Sequence, residues 1–136
     1  MSELHVHVDV GGEQYALPVS AVREIGKFGA ITPVPGAPAE VLGVWNLRGD
    51  VVAVIDLSRL LGLDPDAAPN RVVICEAGNG RAGLGVSSVL NVGPLPASIE
   101  PADSRYLVGA TLIDRIPVGV LDVAAVFGAV TSGSAR

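Results

Sequence analysis

Three polar side chains near the amino terminus have a spacing that suits metal binding. His5, His7 and Asp9 alternate with valines in the segment HVHVD, so on a β-strand all three would point to one face. Two imidazoles and a carboxylate are a known ligand set for metals such as iron. A catalytic zinc site needs three protein ligands, yet the chain has only two histidines and this strand offers no further group to act as a base. We therefore predict that the three side chains face solvent opposite Val6 and Val8, and a small metal-dependent hydrolase remains the alternative.

A second candidate is the segment GNGRAG at residues 78–83, which has the glycine spacing of a dinucleotide-binding loop. Such a loop must open directly into a helix, whose N–H groups then meet the pyrophosphate. Here the chain continues as LGVSSVLNVGPLP, which favours a plain hairpin turn. The sequence also lacks a Gly-x-Ser-x-Gly nucleophile motif. We predict no catalytic residue, no metal and no cofactor, so the residues indicate a binding module rather than an enzyme.

The amino-acid composition limits the possible partners and the location of the protein. The chain has 136 residues, 49% of them hydrophobic and 17% charged, with a net charge of −5. This acidic balance argues against nucleic acid or an anionic membrane as a partner. The single cysteine, Cys75, lies in the apolar run RVVIC and is predicted to be a buried hydrophobic residue in a reducing compartment. With no signal peptide and no membrane helix expected, the predicted location is the cytoplasm.

The sequence repeats itself at a nearly constant distance. Similar segments lie 66 positions apart: Leu42-Gly43 and Val108-Gly109, Ile55-Asp56-Leu57 and Leu121-Asp122-Val123, Val6 with Val8 and Val72 with Ile74. Residues 19–22 match residues 86–89 at an offset of 67. Self-similarity of this kind indicates two copies of one structural unit. We assign residues 1–65 to the first unit, residues 66–130 to the second, and residues 131–136 to a disordered tail.

The sequence pattern of each unit predicts short strands followed by a short helix. Runs of Val, Ile and Leu are separated by Gly and Pro at spacings too close for long helices, which is typical of strands. An aspartate, Asp56 or Asp122, precedes each predicted helix as its N-cap, and a glycine, Gly62 or Gly128, follows as its C-cap. The prediction is an all-β fold with short helices, in which each unit closes into a five-stranded barrel because closure removes exposed edges.

Three longer segments resemble a known family. VSAVREI at residues 19–25, ITPVPGAP at 31–38 and VLGVWNLRGDVVAVIDL at 41–57 occur in the order and spacing of the CheW-type coupling proteins of bacterial chemotaxis. The resemblance covers residues 4–129. It implies two SH3-like five-stranded barrels around a shared core, and no catalytic activity. It also implies a scaffold that binds the regulatory domain of a CheA-type histidine kinase and the cytoplasmic tip of chemoreceptors. A CheW-like binding module in a different signalling pathway is the alternative.

The same resemblance assigns roles to individual residues. In the family pattern the arginine of NLRG pairs with the glutamate of VREI, which here means Arg48 with Glu24, and Gly49 then allows a tight turn into the next strand. An ordinary exposed charge at a hairpin end is the other interpretation of Arg48. Trp45 stands where the family commonly has a small or branched residue. The resemblance also implies partner contacts at an apolar set: Val22, Gly43, Val89 and Val92.

Overall fold

The chain folds into two five-stranded sheets and two helices over the residues that the structure describes. A computed structural model describes residues 3–29, 31–63, 68–78 and 80–134. The first half contains β1 (Leu4–Val10), β2 (Glu13–Pro18), a 3-10 turn (Val19–Ala21), β3 (Val22–Lys27), β4 (Val41–Leu47), β5 (Asp50–Asp56) and α1 (Leu57–Leu60). The second half contains β6 (Arg71–Ala77), β7 (Gly80–Val86), β8 (Ser88–Pro94), β9 (Leu107–Ile113), β10 (Ile116–Leu121) and α2 (Val123–Ser134). The predicted mainly β class is confirmed.

The two sheets exchange strands between the halves of the chain. Sheet A has the order β8-β1-β2-β10-β9 and sheet B the order β3-β6-β7-β5-β4. The first hairpin of each half therefore joins the sheet formed by the other half, through the parallel pairs β2–β10 and β5–β7. Neither sheet thus coincides with residues 1–65 or 66–130. Among the described residues no ladder closes either sheet on itself, so the SH3-like barrel closure is not confirmed.

The duplication is visible in the strand pairing, with one correction to the predicted offset. In sheet A, His5 pairs with Gly93 and His7 with Asn91; in sheet B, Val72 pairs with Gly26 and Ile74 with Glu24. The histidines, and not Val6 and Val8, are therefore the equivalents of Val72 and Ile74, at an offset of 67. The predicted offset of 66 is wrong in these strands. A slip of one residue moves every side chain to the opposite face, and it is concealed because β6 is apolar on both faces.

The main hydrophobic core lies between the two sheets. Its fully buried members come from both sheets and from both helices: Val8, Val10, Leu17, Ile55, Leu57, Val73, Cys75, Leu84 and Val126. Cys75 is completely buried, and this burial raises the pKa of its thiol to about 12. The prediction that Cys75 is a buried hydrophobic residue is confirmed.

A second apolar cluster, with a contact between the two edge strands, shows that sheet B is strongly curved. Val52, Val54, Val72 and Ile74 form it, and the indole of Trp45 packs against it from edge strand β4. A methyl group added to Gly26 on the opposite edge strand, β3, would lie 2.8 Å from Cη2 of Trp45. The missing side chain at Gly26 thus makes room for the indole. Side-chain contact, in place of a hydrogen-bonded ladder, brings the two edges of sheet B together.

Both helices begin at the predicted aspartates. Asp56 Oδ1 accepts a hydrogen bond from the backbone N–H of Arg59 at 3.3 Å, and Asp122 Oδ1 accepts one from Ala125 at 3.1 Å. Helix α1 ends before Gly62, whose φ of 72° is left-handed as predicted. Helix α2, in contrast, continues past Gly128 to Ser134, because a single glycine weakens a helix by only about 1 kcal/mol. Residues 131–134 of the predicted disordered tail thus belong to α2, and 135–136 lie outside the described residues. In the described part of the chain, no helix combines the length and apolarity needed to cross a membrane.

Candidate functional site

The residues that the family resemblance singles out meet at the tip of the β4–β5 hairpin. Arg48 and Gly49 form its two-residue turn, with φ angles of 53° and 91°. Positive φ at both positions defines the type I′ turn, whose twist matches that of the flanking strands. The N–H of Gly49 donates to Oδ1 of Asn46 at 2.8 Å, which fixes the turn further. Arginine is unusual at the first position, where a left-handed conformation costs a non-glycine residue roughly 1 kcal/mol.

The predicted ion pair between Arg48 and Glu24 is present. Nη1 of Arg48 lies 3.0 Å from Oε1 of Glu24, and the two side chains are 80% and 27% exposed. Because Arg48 is so exposed, the pair contributes no more than about 1 kcal/mol to folding. The positions of the two residues in the sheet are more informative about the site than this energy. Glu24 lies on edge strand β3 and Arg48 follows edge strand β4, so the pair connects the same two edges that Trp45 connects.

A second arginine, Arg81, lies beside this pair and is the main feature that sequence reasoning missed. Its Nε and Nη2 donate to Oε2 of Glu76 at 3.0 and 2.7 Å, and its Nη1 donates to Oδ2 of Asp50 at 3.2 Å. Glu76 also lies 3.5 Å from Nε of Arg23. The hydrogen bond from Arg81 lowers the pKa of Glu76, and the same bond raises the pKa of Arg81. The sequence does contain a signal for the Glu76–Arg81 contact. The two residues lie on the strands that flank the predicted turn and are paired directly across it.

Six charged residues thus surround one end of sheet B, and we call them the charge ring: Arg23, Glu24, Arg48, Asp50, Glu76 and Arg81. They include three positive and three negative side chains. Five of the six residues, all except Glu76, line a shallow groove of about 260 Å³ together with the apolar Leu47 and Ile74; Glu76 lines the adjoining groove. Such an open, polar surface is suited to contact with another protein, whereas a small-molecule site is usually a deep, mostly apolar cleft.

The other predicted partner residues differ in exposure. Gly43 is buried, and a methyl group there would overlap the carbonyl oxygen of Thr32. Val22 and Val89 are half-buried and pack against the main core. Val92 is 54% exposed on edge strand β8 of sheet A. The structure thus brings Glu24, Arg48 and Gly49 together in sheet B and leaves Val92 apart from them in the other sheet.

The amino-terminal histidines do not all face solvent as predicted. His7 is buried with 5% exposure, because in sheet A it takes the position that Ile74 takes in sheet B, and its Nε2 lies 3.2 Å from the carbonyl oxygen of Gly93. Asp9 accepts a hydrogen bond from the N–H of Gly12 at 2.9 Å and so acts as a turn residue. Among the described residues, no three His, Cys, Asp or Glu side chains are grouped to hold a metal ion.

The fold and the site together define a class: a small, duplicated β domain with a shallow charged groove at one end of sheet B. A family model described as the CheW-like domain matches residues 5–131. The chain therefore belongs to the CheW family.

Individual relatives match over most of their length. The chain is 31% identical to the probable chemotaxis protein CheW of Rhizobium etli, with 93% of this chain and 88% of the relative covered. It is 30% identical to the chemotaxis protein CheW of Rhizobium meliloti, with 87% and 83% covered. Among solved structures, the scaffolding protein TtCheW of Thermoanaerobacter tengcongensis superposes with a TM-score of 0.84 at 30% identity, covering 90% of this chain and 86% of that one.

Proposed function

We propose that the chain is a non-enzymatic adaptor that couples chemoreceptors to a CheA-type histidine kinase. The observation that carries this proposal is the match to chemotaxis CheW proteins and to a scaffolding protein over nearly the whole chain, at the level of both sequence and fold. The open, polar groove agrees with binding to another protein. The site of action would be the cytoplasm, where the tips of the receptors lie.

Two partners would contact the domain: the regulatory domain of the kinase and the cytoplasmic tip of a receptor. The contact residues proposed for them are Val22, Glu24, Gly43, Arg48, Gly49, Val89 and Val92. Of these, Gly43 acts through the backbone that it permits, since it is buried and has no side chain to offer. Arg48 and Val92 are the most exposed candidates for direct contact, with 80% and 54% exposure.

The mechanism follows from the rigid connection between the sheets. Because sheets A and B share one core, a partner on each sheet would be held at a fixed angle to the other. Coupling then depends on relative position and needs no chemical step. Contacts of this kind in signalling assemblies bury a modest area, below about 1,200 Å² in the smaller transient cases, so binding to each partner alone should be weak.

The test compares two arginine variants in binding to a kinase regulatory domain. Arg48→Asn removes the charge and keeps a residue that tolerates the left-handed conformation. Arg115→Asn is the matched control, because Arg115 also lies in a two-residue turn at positive φ, 70°, in the hairpin of the other sheet. We expect Arg48→Asn to weaken binding about fivefold, as for the loss of about 1 kcal/mol, and Arg115→Asn to leave it unchanged. Equal affinities for wild type and Arg48→Asn would contradict the assignment.

A further inference from the structure

The duplicated fold provides an internal control for the charge ring. The strand pairing assigns each ring residue an equivalent in sheet A, since the bulges at Arg23 and Leu90 also correspond. The equivalents of Arg23, Glu24, Arg48, Asp50, Glu76 and Arg81 are Leu90, Asn91, Asp114, Ile116, Asp9 and Gln14. None of these is basic and four are uncharged. Sheet A thus forms the same five-stranded arrangement with none of the arginines, so the fold does not require the ring.

Within the ring, Arg81 is the residue that joins the two strands on either side of it. It lies on β7, between β6 and β5 in the order of sheet B, and binds Glu76 on β6 and Asp50 on β5. Asp50 directly follows the Arg48-Gly49 turn. Glu76 contacts Arg23 on β3, next to Glu24. Arg81 therefore reaches both members of the Arg48–Glu24 pair indirectly: it binds Asp50, two positions after Arg48, and it binds Glu76, which contacts Arg23 beside Glu24.

The ion pairs of Arg81 restrict the motion of the hairpin tip. An exposed ion pair is weak and its long side chains are mobile, and an interface must then order them at a cost to affinity. A planar guanidinium that donates to two carboxylates has fixed geometry, which a flexible ammonium group lacks. Two connected ion pairs therefore restrict the turn more than the Arg48–Glu24 pair alone.

We propose that Arg81 is a positioning residue for partner binding: it holds the Arg48 turn against β3, so that Arg48 meets the partner in one orientation. This rests on the proposed function, because Arg48 is there assigned to partner contact. Arg81 acts through Arg48 and does not itself touch the partner. The role explains why the ring is present in one sheet and absent from its duplicate.

The first test is a double-mutant cycle measured as affinity for the kinase regulatory domain. Arg81→Gln removes both ion pairs, and Arg71→Gln is the control, since Arg71 lies on β6 and its guanidinium donates to a backbone carbonyl, that of Asn70. We expect Arg81→Gln to weaken binding about threefold to fivefold, as for the loss of one exposed charged contact, and Arg71→Gln to leave it within twofold. In the Arg48→Asn background, Arg81→Gln should have no further effect. An equal loss in both backgrounds, or none in either, overturns the proposal.

The second test needs no partner and therefore separates this proposal from the proposed function. The side-chain Nε–H signal of Arg48 is followed by NMR in wild type, Arg81→Gln and Arg71→Gln. We expect Arg81→Gln alone to shift and narrow this signal as the side chain gains freedom, with thermal unfolding unchanged; Arg81→Lys, which retains the charge, is used if Arg81→Gln fails to fold. An unchanged Arg48 signal overturns the proposal. If the chain binds no kinase domain but the signal responds, the proposed function fails and the link between Arg81 and Arg48 stands.

Discussion

Replacing Gly43 by alanine should destabilise the domain far more than an ordinary glycine substitution. Residue 43 has a φ of 152°, and an added methyl group would overlap the carbonyl oxygen of Thr32 and lie 2.8 Å from Cγ2 of Ile31. That carbonyl cannot easily retreat, because Thr32 and Val44 exchange two backbone hydrogen bonds of 2.9 Å. The connecting segment is therefore fixed directly against residue 43.

The magnitude comes from two contributions. An unfavourable backbone conformation costs alanine about 1 kcal/mol, and forcing an extra methyl group into a packed site costs a further 1–3 kcal/mol, roughly. We therefore expect Gly43→Ala to lower the free energy of unfolding by about 3 kcal/mol, which corresponds to a fall of about 10 °C in Tm for a domain of this size.

Urea denaturation of Gly43→Ala and a control, Gly36→Ala, measures the two contributions separately. Gly36 also has a positive φ, 81°, but nothing lies within 4 Å of an added methyl group, so only the backbone contribution should appear. Gly109→Ala should show the overlap contribution alone, because Gly109 is not among the glycines of positive φ and its methyl group would lie 2.5 Å from the carbonyl oxygen of Glu100 in the duplicated arrangement. If Gly43→Ala and Gly36→Ala unfold at the same urea concentration, the overlap with Thr32 is not the reason for the glycine.

Three further outcomes follow from the structure. Cys75, fully buried with its thiol pKa raised to about 12, should not react with a thiol reagent at pH 8 until denaturant unfolds the chain; rapid reaction of the native protein would contradict this. Trp45→Ala should lower the free energy of unfolding by about 2 kcal/mol, which is less than for a fully buried tryptophan, and Trp45→Phe should lower it by a smaller amount. Urea denaturation measures both values, and equal losses in the two variants would count against the contact with Gly26. Asp56→Ala should cost about 1 kcal/mol through loss of the N-cap, and Asp56→Asn much less; a large loss in both would point to a different role.

Much of the local structure could be predicted from the sequence because it depends on neighbouring residues. Alternating valines define β1, glycine marks the turns after β1 and β4, and the aspartates before both helices supply side-chain caps. The exchange of hairpins between the sheets could not be predicted, because periodicity shows which face of a strand is apolar and not which strand lies beside it. The one-residue error in the offset at His5 and His7 has a related cause, since the equivalent strand β6 is apolar on both faces and so matches the valines of β1 in either register.

The contacts of the candidate site also divide into those that the sequence predicts and those that it does not. The Arg48–Glu24 pair was predicted from a family resemblance, and the structure shows it at 3.0 Å. The glycine spacing of the segment GNGRAG predicts a turn but gives no indication of what Arg81 binds. Its partner Glu76 follows from the hairpin register, whereas its contact with Asp50 depends on the parallel pairing of β5 with β7, which no local pattern indicates.

The most direct test of the adaptor function is kinase activity in the presence of receptor. A CheA-type kinase and receptor-containing membranes from the native organism are mixed with and without this chain, and the rate of kinase autophosphorylation is measured before and after addition of a receptor ligand. We expect the ligand to change the rate only when the chain is present, and the Arg48→Asn variant to reduce that response. A rate that is the same with and without the chain, and a ligand response that does not depend on it, would contradict the account.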